Sequence, residues 1–118
     1  DPTIMISLIH YESRWNPRVI SSSKACGLTQ VLAKYSKKTC KQLMDPYVSI
    51  REGAKKLNYW IYKYAKGNLK TGLCGYNAGF RCKKKKSKKG TRYARKVLKL
   101  SNKIKKQSFI IEEELILE

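Results

Sequence analysis

The sequence predicts a single, mainly α-helical domain, and three observations support this prediction. Apolar residues recur at helical spacing in several long segments. Two Asp-Pro pairs, at positions 1–2 and 45–46, match the start of a helix, because Asp caps the first turn and Pro suits the first helical position. No useful length of chain alternates at period two, and 118 residues leave room for one core only.

The first predicted helix begins at the first Asp-Pro pair and ends near Pro17. Ile4, Leu8 and Glu12 follow one another at four-residue spacing, so Glu12 continues an apolar stripe. Its carboxyl group should therefore face the protein interior or a cleft wall. A carboxyl group in such a place is unfavourable unless it is neutral, hydrogen-bonded or functional. Glu12 is accordingly the candidate functional acid.

The middle of the chain is predicted to hold a loop and two helices. Residues 18–27 are typical of a loop that ends at Gly27, and a second helix is predicted over residues 28–35. The second Asp-Pro pair begins a longer helix that Gly67 ends. We expect Glu52 on its polar side. Its apolar stripe is formed by Ile50, Ala54, Leu57, Ile61 and Tyr64.

The last third of the chain is predicted to form a short helix, a loop and a long helix. The short helix covers roughly residues 70–78 and breaks at Gly79, and the lysine-rich loop follows at 83–89. Thr91 is the expected cap of the long helix. One face of that helix carries Tyr93, Val97, Leu100 and Ile104. We assign residues 1–107 to the domain and residues 108–118 to a C-terminal extension, helical or flexible.

The charge of the chain is strongly positive. Lys and Arg number 27 against 8 acids, a formal net charge of +19, and four of those acids lie in the last seven positions. Such a surface attracts polyanions: nucleic acid, acidic lipid or anionic cell-wall polymer. The few remaining acids are too scattered to form a carboxylate metal site, and no apolar run reaches the roughly 20 residues that span a bilayer. The lysine run is equally consistent with a solvated surface.

Four cysteines permit two disulfides in any of three connectivities, and free buried thiols are an equal alternative. The sequence has no Cys-x-x-Cys pair and a single histidine, His10, so we expect no zinc site, no other metal and no cofactor. The first residue is Asp rather than Met, which indicates that a leader or a further domain has been removed.

The most specific feature of the sequence is an ordered series of four short motifs. The series runs Glu12-Ser13-x-x-Asn16-Pro17, then Ser21 and Ala25-Cys26-Gly27-Leu28-Thr29-Gln30, then Asp45-Pro46-x-x-Ser49-Ile50-x-x-Gly53, then Tyr76-Asn77-Ala78-Gly79 with Tyr93 beyond it. It resembles the soluble lytic transglycosylase family, whose fold is mainly helical and lysozyme-like, related to goose-type lysozyme. The resemblance covers roughly residues 1–100. Three positions depart from the usual pattern: Lys24 replaces a common Gly, Thr29 a Met and Ser49 an Asn.

These departures carry separate expectations. Lys24 should change only a loop dihedral. Thr29 puts in question how a sugar stacks beside Gln30, and Ser49 is expected to lose a local hydrogen bond in the scaffold.

The resemblance implies cleavage of the bond between N-acetylmuramic acid and N-acetylglucosamine in peptidoglycan, with Glu12 as the only acid and base and a 1,6-anhydro product. The composition agrees, because an ordinary glycoside hydrolase needs a second carboxyl group about 5–9.5 Å from the first. Asp1 and Asp45 are accounted for as helix caps, and Glu52 is expected to face solvent. Apolar neighbours should raise the pKa of Glu12 by desolvation, whereas the cationic surroundings oppose that shift.

The resemblance also implies supporting roles around Glu12. Ser21 and Ser23 would bind the reacting sugar, Gln30 and Asn77 would bind saccharide groups, Tyr76 would line the cleft, and Tyr93 would hold the Glu12 carboxyl group. Each residue has an alternative interpretation. The two serines suit an ordinary turn, Gln30 suits an exposed helix position, and the tyrosines suit the core.

Three functions remain open at this point. The first is a peptidoglycan lytic transglycosylase. The second is a muramidase of the same fold that uses water, and the third is a cationic protein that binds wall polymer or nucleic acid without turnover. The expected partners are peptidoglycan strands, with anionic envelope polymers attracted by the lysine run and only non-specific binding of nucleic acid. We expect a monomer that acts on the bacterial cell wall, either exported or phage-encoded.

Overall fold

The computed structural model describes residues 1–83 and 87–117, and these residues are mainly helical, as predicted. The helices are α1 (Pro2–Ser13), α2 (Ala33–Ser36), α3 (Cys40–Leu43), α4 (Pro46–Asn58), α5 (Leu69–Ala78) and α6 (Lys88–Leu117). A π-helical segment, Tyr59–Tyr64, continues α4, and a 3-10 turn, Gly79–Arg81, follows α5. Across the described residues, every helix is too short or too polar to cross a membrane.

Both Asp-Pro pairs begin helices, as the sequence predicted. The Asp1 carboxylate accepts a hydrogen bond from the backbone N–H of Thr3 at 2.9 Å, and the Asp45 carboxylate accepts one from Val48 at 3.1 Å. Helix α1 ends at Ser13, a few residues before the predicted end near Pro17. Arg14, which follows, has a φ of 53° and turns the chain out of the helix.

The predicted second helix over residues 28–35 is wrong for most of its length. Ala25–Cys26 (β1) pairs antiparallel with Val31–Leu32 (β2), and only Ala33–Ser36 is helical. Gly27 and Gln30 have φ values of 80° and 53°, which form a tight turn between the strands and prevent a helix there. Strands of two residues are too short to show a period of two in the sequence.

The buried face of α4 differs from the prediction in its first two turns, whereas Leu57, Ile61 and Tyr64 are buried as predicted. Ser49, Glu52 and Gly53 are buried, whereas Ile50 is 39% exposed. The buried face of α4 is rotated relative to the predicted face, because small side chains allow α4 to pack closely on the residues that join β1 and β2. A Cβ at Gly53 would approach the Thr29 side chain to 2.5 Å. The expectation that Glu52 faces solvent is therefore wrong.

Helix α6 begins earlier than predicted, and Ser87 is its cap in place of Thr91. The Ser87 hydroxyl accepts a hydrogen bond from the backbone N–H of Gly90 at 3.0 Å, while the Thr91 hydroxyl donates to the Ser87 carbonyl. Lys88 and Lys89 of the predicted loop are thus helical. Lys84–Lys86, the centre of the lysine run, lie outside the described residues, as does Glu118. Helix α6 continues without a break through residues 108–117.

The main core lies where α1, α5 and α6 meet. Leu8, Leu73, Ala94 and Val97 are fully buried there. A smaller cluster is formed by Cys26, Val31 and Leu43, beneath the two strands.

All four cysteines form disulfides, one between Cys26 and Cys40 and one between Cys74 and Cys82, which decides the alternative that the sequence left open. The first ties β1 to the start of α3, and the second ties α5 to the segment before α6.

Candidate active site

The carboxyl group of Glu12 lies in the last turn of α1, where that helix meets α6. The Tyr93 hydroxyl donates a hydrogen bond of 2.6 Å to Glu12 Oε2. Both side chains are partly buried. Because Glu12 follows Leu8 on the inner side of α1, the helix itself directs the carboxyl group toward α6. Two residues that are 81 positions apart are brought together by the packing of α1 on α6.

The pKa of Glu12 is raised above its ordinary value, mainly because burial disfavours the charged carboxylate. The Tyr93 hydrogen bond and the positive charges of Lys56 and Lys89 oppose this effect by favouring the ionised form. Burial and the Glu12 charge both raise the pKa of Tyr93, so its hydroxyl remains protonated and acts as a donor. The site therefore favours a protonated Glu12 more than water does.

Tyr76 and Lys56 complete the polar surroundings of Glu12. Tyr76 is buried, and its hydroxyl donates to the Thr29 carbonyl at 2.6 Å. The Lys56 ammonium lies 4.1 Å from the centre of the Tyr76 ring, a cation–π arrangement. Burial lowers the pKa of Lys56, whereas the charge of Glu12 raises it.

Thr29 and Ser49 form a buried hydrogen-bonded pair beneath the site. Ser49 Oγ accepts from the Thr29 backbone N–H at 3.1 Å and lies 2.9 Å from Thr29 Oγ1, which also donates to the Ser49 carbonyl at 2.7 Å. Both side chains are completely inaccessible to solvent. The expectation that Ser49 lacks a local scaffold hydrogen bond is therefore wrong, because its side chain bonds Thr29.

Gln30 is buried in the turn between the two strands. Its side-chain nitrogen donates to the carbonyl oxygens of Val19 and Gly27, at 3.0 and 2.9 Å. The alternative interpretation of Gln30 as an exposed helix residue is wrong, because it is neither helical nor exposed. Its amide nitrogen holds the turn together.

Ser21 and Ser23 lie in the loop that precedes β1. Their hydroxyl oxygens are 3.1 Å apart, and Ser21 Oγ also accepts from the backbone N–H of Ala25 at 3.0 Å. These contacts match the turn interpretation of the two serines. Lys24, in the same turn, has a φ of 68°, the left-handed conformation that Gly adopts most easily. The structure records no hydrogen bond between these serines and Glu12.

Asn77 and Tyr93, the residue that bonds Glu12, line one cavity of about 280 Å³, and Glu12 itself does not line it. The remaining lining residues are Tyr11, Lys89, Arg92 and Lys96. Asn77 Oδ1 is buried and has no hydrogen-bond donor among the described residues. A second cavity, of about 630 Å³, lies between the first turns of α5 and α6, and Glu12 and Tyr93 do not line it.

Among the described residues, no carboxylate contributes to the pKa shift of Glu12. The groups that shift its pKa within the described residues are Tyr93 and two lysines. Glu52, though buried, forms an ion pair with Lys55 at 3.7 Å. In residues 1–83 and 87–117, no three His, Cys, Asp or Glu side chains lie close enough to hold a metal ion. One acid held by a tyrosine can donate and then accept a proton at the same place.

The sequence singled out Tyr93, but it did not single out Lys56 or the cations of α6 that line the cavity as site residues. Lys56 is one of 27 cations, and nothing in its local sequence separates it from the exposed Lys55. The spacing of Lys89, Arg92 and Lys96, together with Tyr93, does place them along one side of a helix. This helical spacing is the sequence signal that could have identified the cavity residues. It is equally typical of a solvent-exposed helix face.

The fold is mainly helical and lysozyme-like, and Tyr93 bonds the partly buried Glu12 where α1 meets α6. The family model described as Transglycosylase SLT domain matches residues 1–99, and the chain belongs to that family.

Two solved structures are similar to this chain. A 70-kDa soluble lytic transglycosylase in complex with bulgecin A has a TM-score of 0.75. The 70-kDa soluble lytic transglycosylase of Escherichia coli has a TM-score of 0.73. Each is 23% identical, and each match covers 86% of this chain and 21% of the other, so the chain spans about a fifth of their length.

Proposed function

We propose that the chain is a peptidoglycan lytic transglycosylase that cleaves the bond between N-acetylmuramic acid and N-acetylglucosamine with Glu12 as its single acid and base. The observation that supports this most directly is the Tyr93–Glu12 hydrogen bond in a site where burial raises the pKa of the acid. Membership of the Transglycosylase SLT domain family supports the reaction class.

In the first step, protonated Glu12 donates its proton to the glycosidic oxygen, and the bond to the muramyl anomeric carbon breaks. The positive charges of Lys56 and Lys89 stabilise the carboxylate that forms. The acetamido oxygen of the substrate attacks the same carbon, which does the work of the second carboxylate in a retaining glycosidase.

In the second step, the Glu12 carboxylate takes the proton from the muramyl hydroxyl on carbon six. That oxygen then closes onto the anomeric carbon, displaces the acetamido oxygen, and leaves the 1,6-anhydro sugar. Glu12 is protonated again at the end, so the cycle needs neither water nor a cofactor. Positioned proton transfer of this kind contributes about 10²–10⁴-fold in rate.

The other residues act by placing the substrate and the acid. Tyr93 keeps one Glu12 oxygen fixed, Tyr76 lines the cleft, and Asn77 binds saccharide groups. Ser21 and Ser23 would bind the reacting sugar through the hydrogen-bond donors and acceptors of their hydroxyl groups that their mutual hydrogen bond does not use. Gln30 contributes through its side-chain oxygen, because its nitrogen is bonded within the turn.

We place this activity in residues 1–107, with residues 108–118 as an extension, and we assign it to the bacterial cell wall, as an exported or phage-encoded protein that works as a monomer. The net charge of +19 would favour contact with anionic envelope polymers.

The test is digestion of purified sacculi with mass spectrometry of the released muropeptides. The proposal expects 1,6-anhydro products from the wild type and none from Glu12→Gln. Ser36→Ala, which changes a hydroxyl at the end of α2, is the control and should release the same products. Products heavier by one water molecule would identify a muramidase. Lysis that Glu12→Gln leaves unchanged would overturn the catalytic assignment in favour of a cationic binding protein.

A further inference from the structure

The larger of the two cavities, about 630 Å³, lies between the first turns of α5 and α6, and Glu12 and Tyr93 do not line it. Its walls carry four cations and two threonines, and its floor is a disulfide: Lys70, Lys88, Arg92, Arg95, Thr71, Thr91 and the Cys74–Cys82 bond. No acidic side chain of residues 1–83 and 87–117 lines this cavity. A cavity with this lining favours an anionic ligand.

The four cations have no counter-charge from the part of the chain that the structure describes. All four are exposed, and none of them forms an ion pair there. Lys88, Arg92 and Arg95 follow one another at spacings of four and three residues, so they lie on one face of α6. Like charges at these spacings repel each other and destabilise the helix. An anion bound among them would remove this repulsion.

The floor of the cavity is fixed by the close packing of α5 on α6. The Cys74–Cys82 disulfide ties α5 to the segment before α6, and both of its residues are buried. Gly90 packs against the same bond, because a Cβ there would approach Cys74 Sγ to 2.5 Å. The two walls are therefore carried by helices whose separation is fixed. Such an arrangement reduces the entropy that is lost when several charges are held around one ligand.

The lining also distinguishes between kinds of anion. Within the described residues it has no aromatic side chain on which a nucleobase would stack, and no large aliphatic side chain that an acyl chain would contact. Arg92 and Arg95 offer guanidinium groups, which bind phosphate oxygens through paired hydrogen bonds. The tetrahedral phosphate can meet both walls, whereas a carboxylate accepts hydrogen bonds mainly in one plane. The cavity therefore matches phosphodiester groups on a chain without bases or acyl groups.

We infer that this cavity binds the phosphodiester backbone of an anionic polymer, such as a polyol phosphate, between three cations of α6 on one wall and Lys70 of α5 on the other. The inference goes beyond the proposed function, because the cavity lies outside the residues assigned to cleavage and its binding needs no turnover. In a wall that carries such polymers, the contact would hold the chain near glycan strands.

The first experiment measures the affinity of a fluorescently labelled glycerol phosphate oligomer for the chain at several salt concentrations. The Lys88→Gln, Arg95→Gln double variant removes two cavity cations and leaves Arg92, which also lines the smaller cavity beside Tyr93. At physiological ionic strength its affinity should be about tenfold lower than that of the wild type, and the slope of log K against log salt should be shallower by roughly 1–2.

The Lys103→Gln, Lys106→Gln double variant is the matched control. It removes the same charge from exposed positions of α6 that line neither cavity, so its affinity should change less than about twofold. An equal loss in the two double variants would overturn the inference, because binding would then depend on net charge alone. Affinity that neither double variant changes would also overturn it.

The second experiment compares the glycerol phosphate oligomer with polyglutamate and with a single-stranded DNA oligonucleotide of the same charge number. The wild type should bind the glycerol phosphate oligomer several-fold tighter than polyglutamate, and DNA no tighter than the base-free oligomer. Equal affinity for polyglutamate would contradict a phosphate site. Tighter binding of DNA would identify nucleic acid as the ligand instead. Neither experiment measures cleavage, so a failure of the proposed function would leave this result unaffected.

Discussion

The hydroxyl of Tyr93 bonds one oxygen of Glu12, and the structure records no hydrogen bond to the other from the residues it describes. This asymmetry suits an acid that must hold one orientation while its second oxygen meets the substrate. The hydrogen bond also favours the carboxylate and so lowers the pKa of Glu12 against the dominant effect of burial. Tyr93 is therefore a positioning residue with a measurable electrostatic effect.

The Tyr93→Phe variant should show both contributions. We expect kcat to fall about tenfold, since a hydrogen bond to a charged group is lost. The pKa of Glu12 should rise, so the alkaline limb of the pH profile of kcat/KM, where the acid loses its proton, should move to higher pH. Rates on soluble peptidoglycan fragments across the pH range measure this. A fall in kcat without a shift of the alkaline limb would contradict an electrostatic effect of Tyr93 on Glu12.

Lys56 provides a second way to change the pKa of Glu12. The Lys56→Met variant removes a positive charge that favours the Glu12 carboxylate, so the pKa of Glu12 should rise and the alkaline limb should again move upward. Lys63→Met removes an exposed cation from the following π-helical segment and is the control. The pH profile of kcat/KM is the readout for both variants. If the alkaline limb lies at the same pH in Lys56→Met and Lys63→Met, the charge of Lys56 has no specific effect on the pKa of Glu12.

At the scale of secondary-structure elements, the site depends on how α4 packs against the turn between β1 and β2. The Thr29–Ser49 hydrogen bonds join these two elements, and the Thr29 carbonyl in turn orients Tyr76. The direct contact of Thr29 and Ser49 predicts that the two positions are energetically coupled.

A double-mutant cycle tests this coupling. Ser49→Ala should lower the free energy of unfolding by about 1–3 kcal/mol, because it leaves the buried Thr29 N–H without a partner. Thr29→Val should be destabilising alone, and the pair should be coupled by at least about 0.5 kcal/mol. Urea denaturation measures both quantities. Ser7→Ala, another fully buried serine whose hydroxyl bonds within its own helix, should lower stability less. Strictly additive effects would contradict the coupling.

The elements that the sequence predicted well are those with strong local signals. Both Asp caps and the helices that follow them are confirmed, because a cap is a local hydrogen bond that depends on a few neighbouring residues. The two-residue strands and the buried position of Glu52 were missed, since both depend on the packing of α4 against a distant segment. Lys56 was missed for the same reason, because only the fold separates a cleft lysine from its exposed neighbours.

At the scale of the whole molecule, two disulfides stabilise the segments around the site. The Cys26→Ser, Cys40→Ser double variant should lower the free energy of unfolding by about 3 kcal/mol, the value for a closed loop of roughly 15 residues. The Cys74→Ser, Cys82→Ser variant opens a loop of only 8 residues and should lose less. Denaturation curves of the two variants decide this. A greater loss from the shorter loop would contradict an effect set by loop length.

The net charge also acts over the whole surface. Neutralising Lys83–Lys86 to Gln should weaken binding to sacculi at low salt, with a smaller difference as ionic strength increases. Turnover of a soluble oligosaccharide should change little, because this effect is one of attraction. Pull-down of the protein with sacculi at several salt concentrations measures the binding. A large loss of turnover on the soluble substrate would place the lysine run in the catalytic cleft instead.

The two cross-links also relate the stability of the fold to the compartment in which the chain is found. Disulfide bonds persist outside the cytosol and are reduced within it, where thiols are maintained by the cell. The segments around Glu12 would therefore be held firmly only under oxidising conditions. For a protein that cuts the wall, the firmly held form would then exist on the same side of the membrane as its substrate, and the chain would be less stable where it is synthesised.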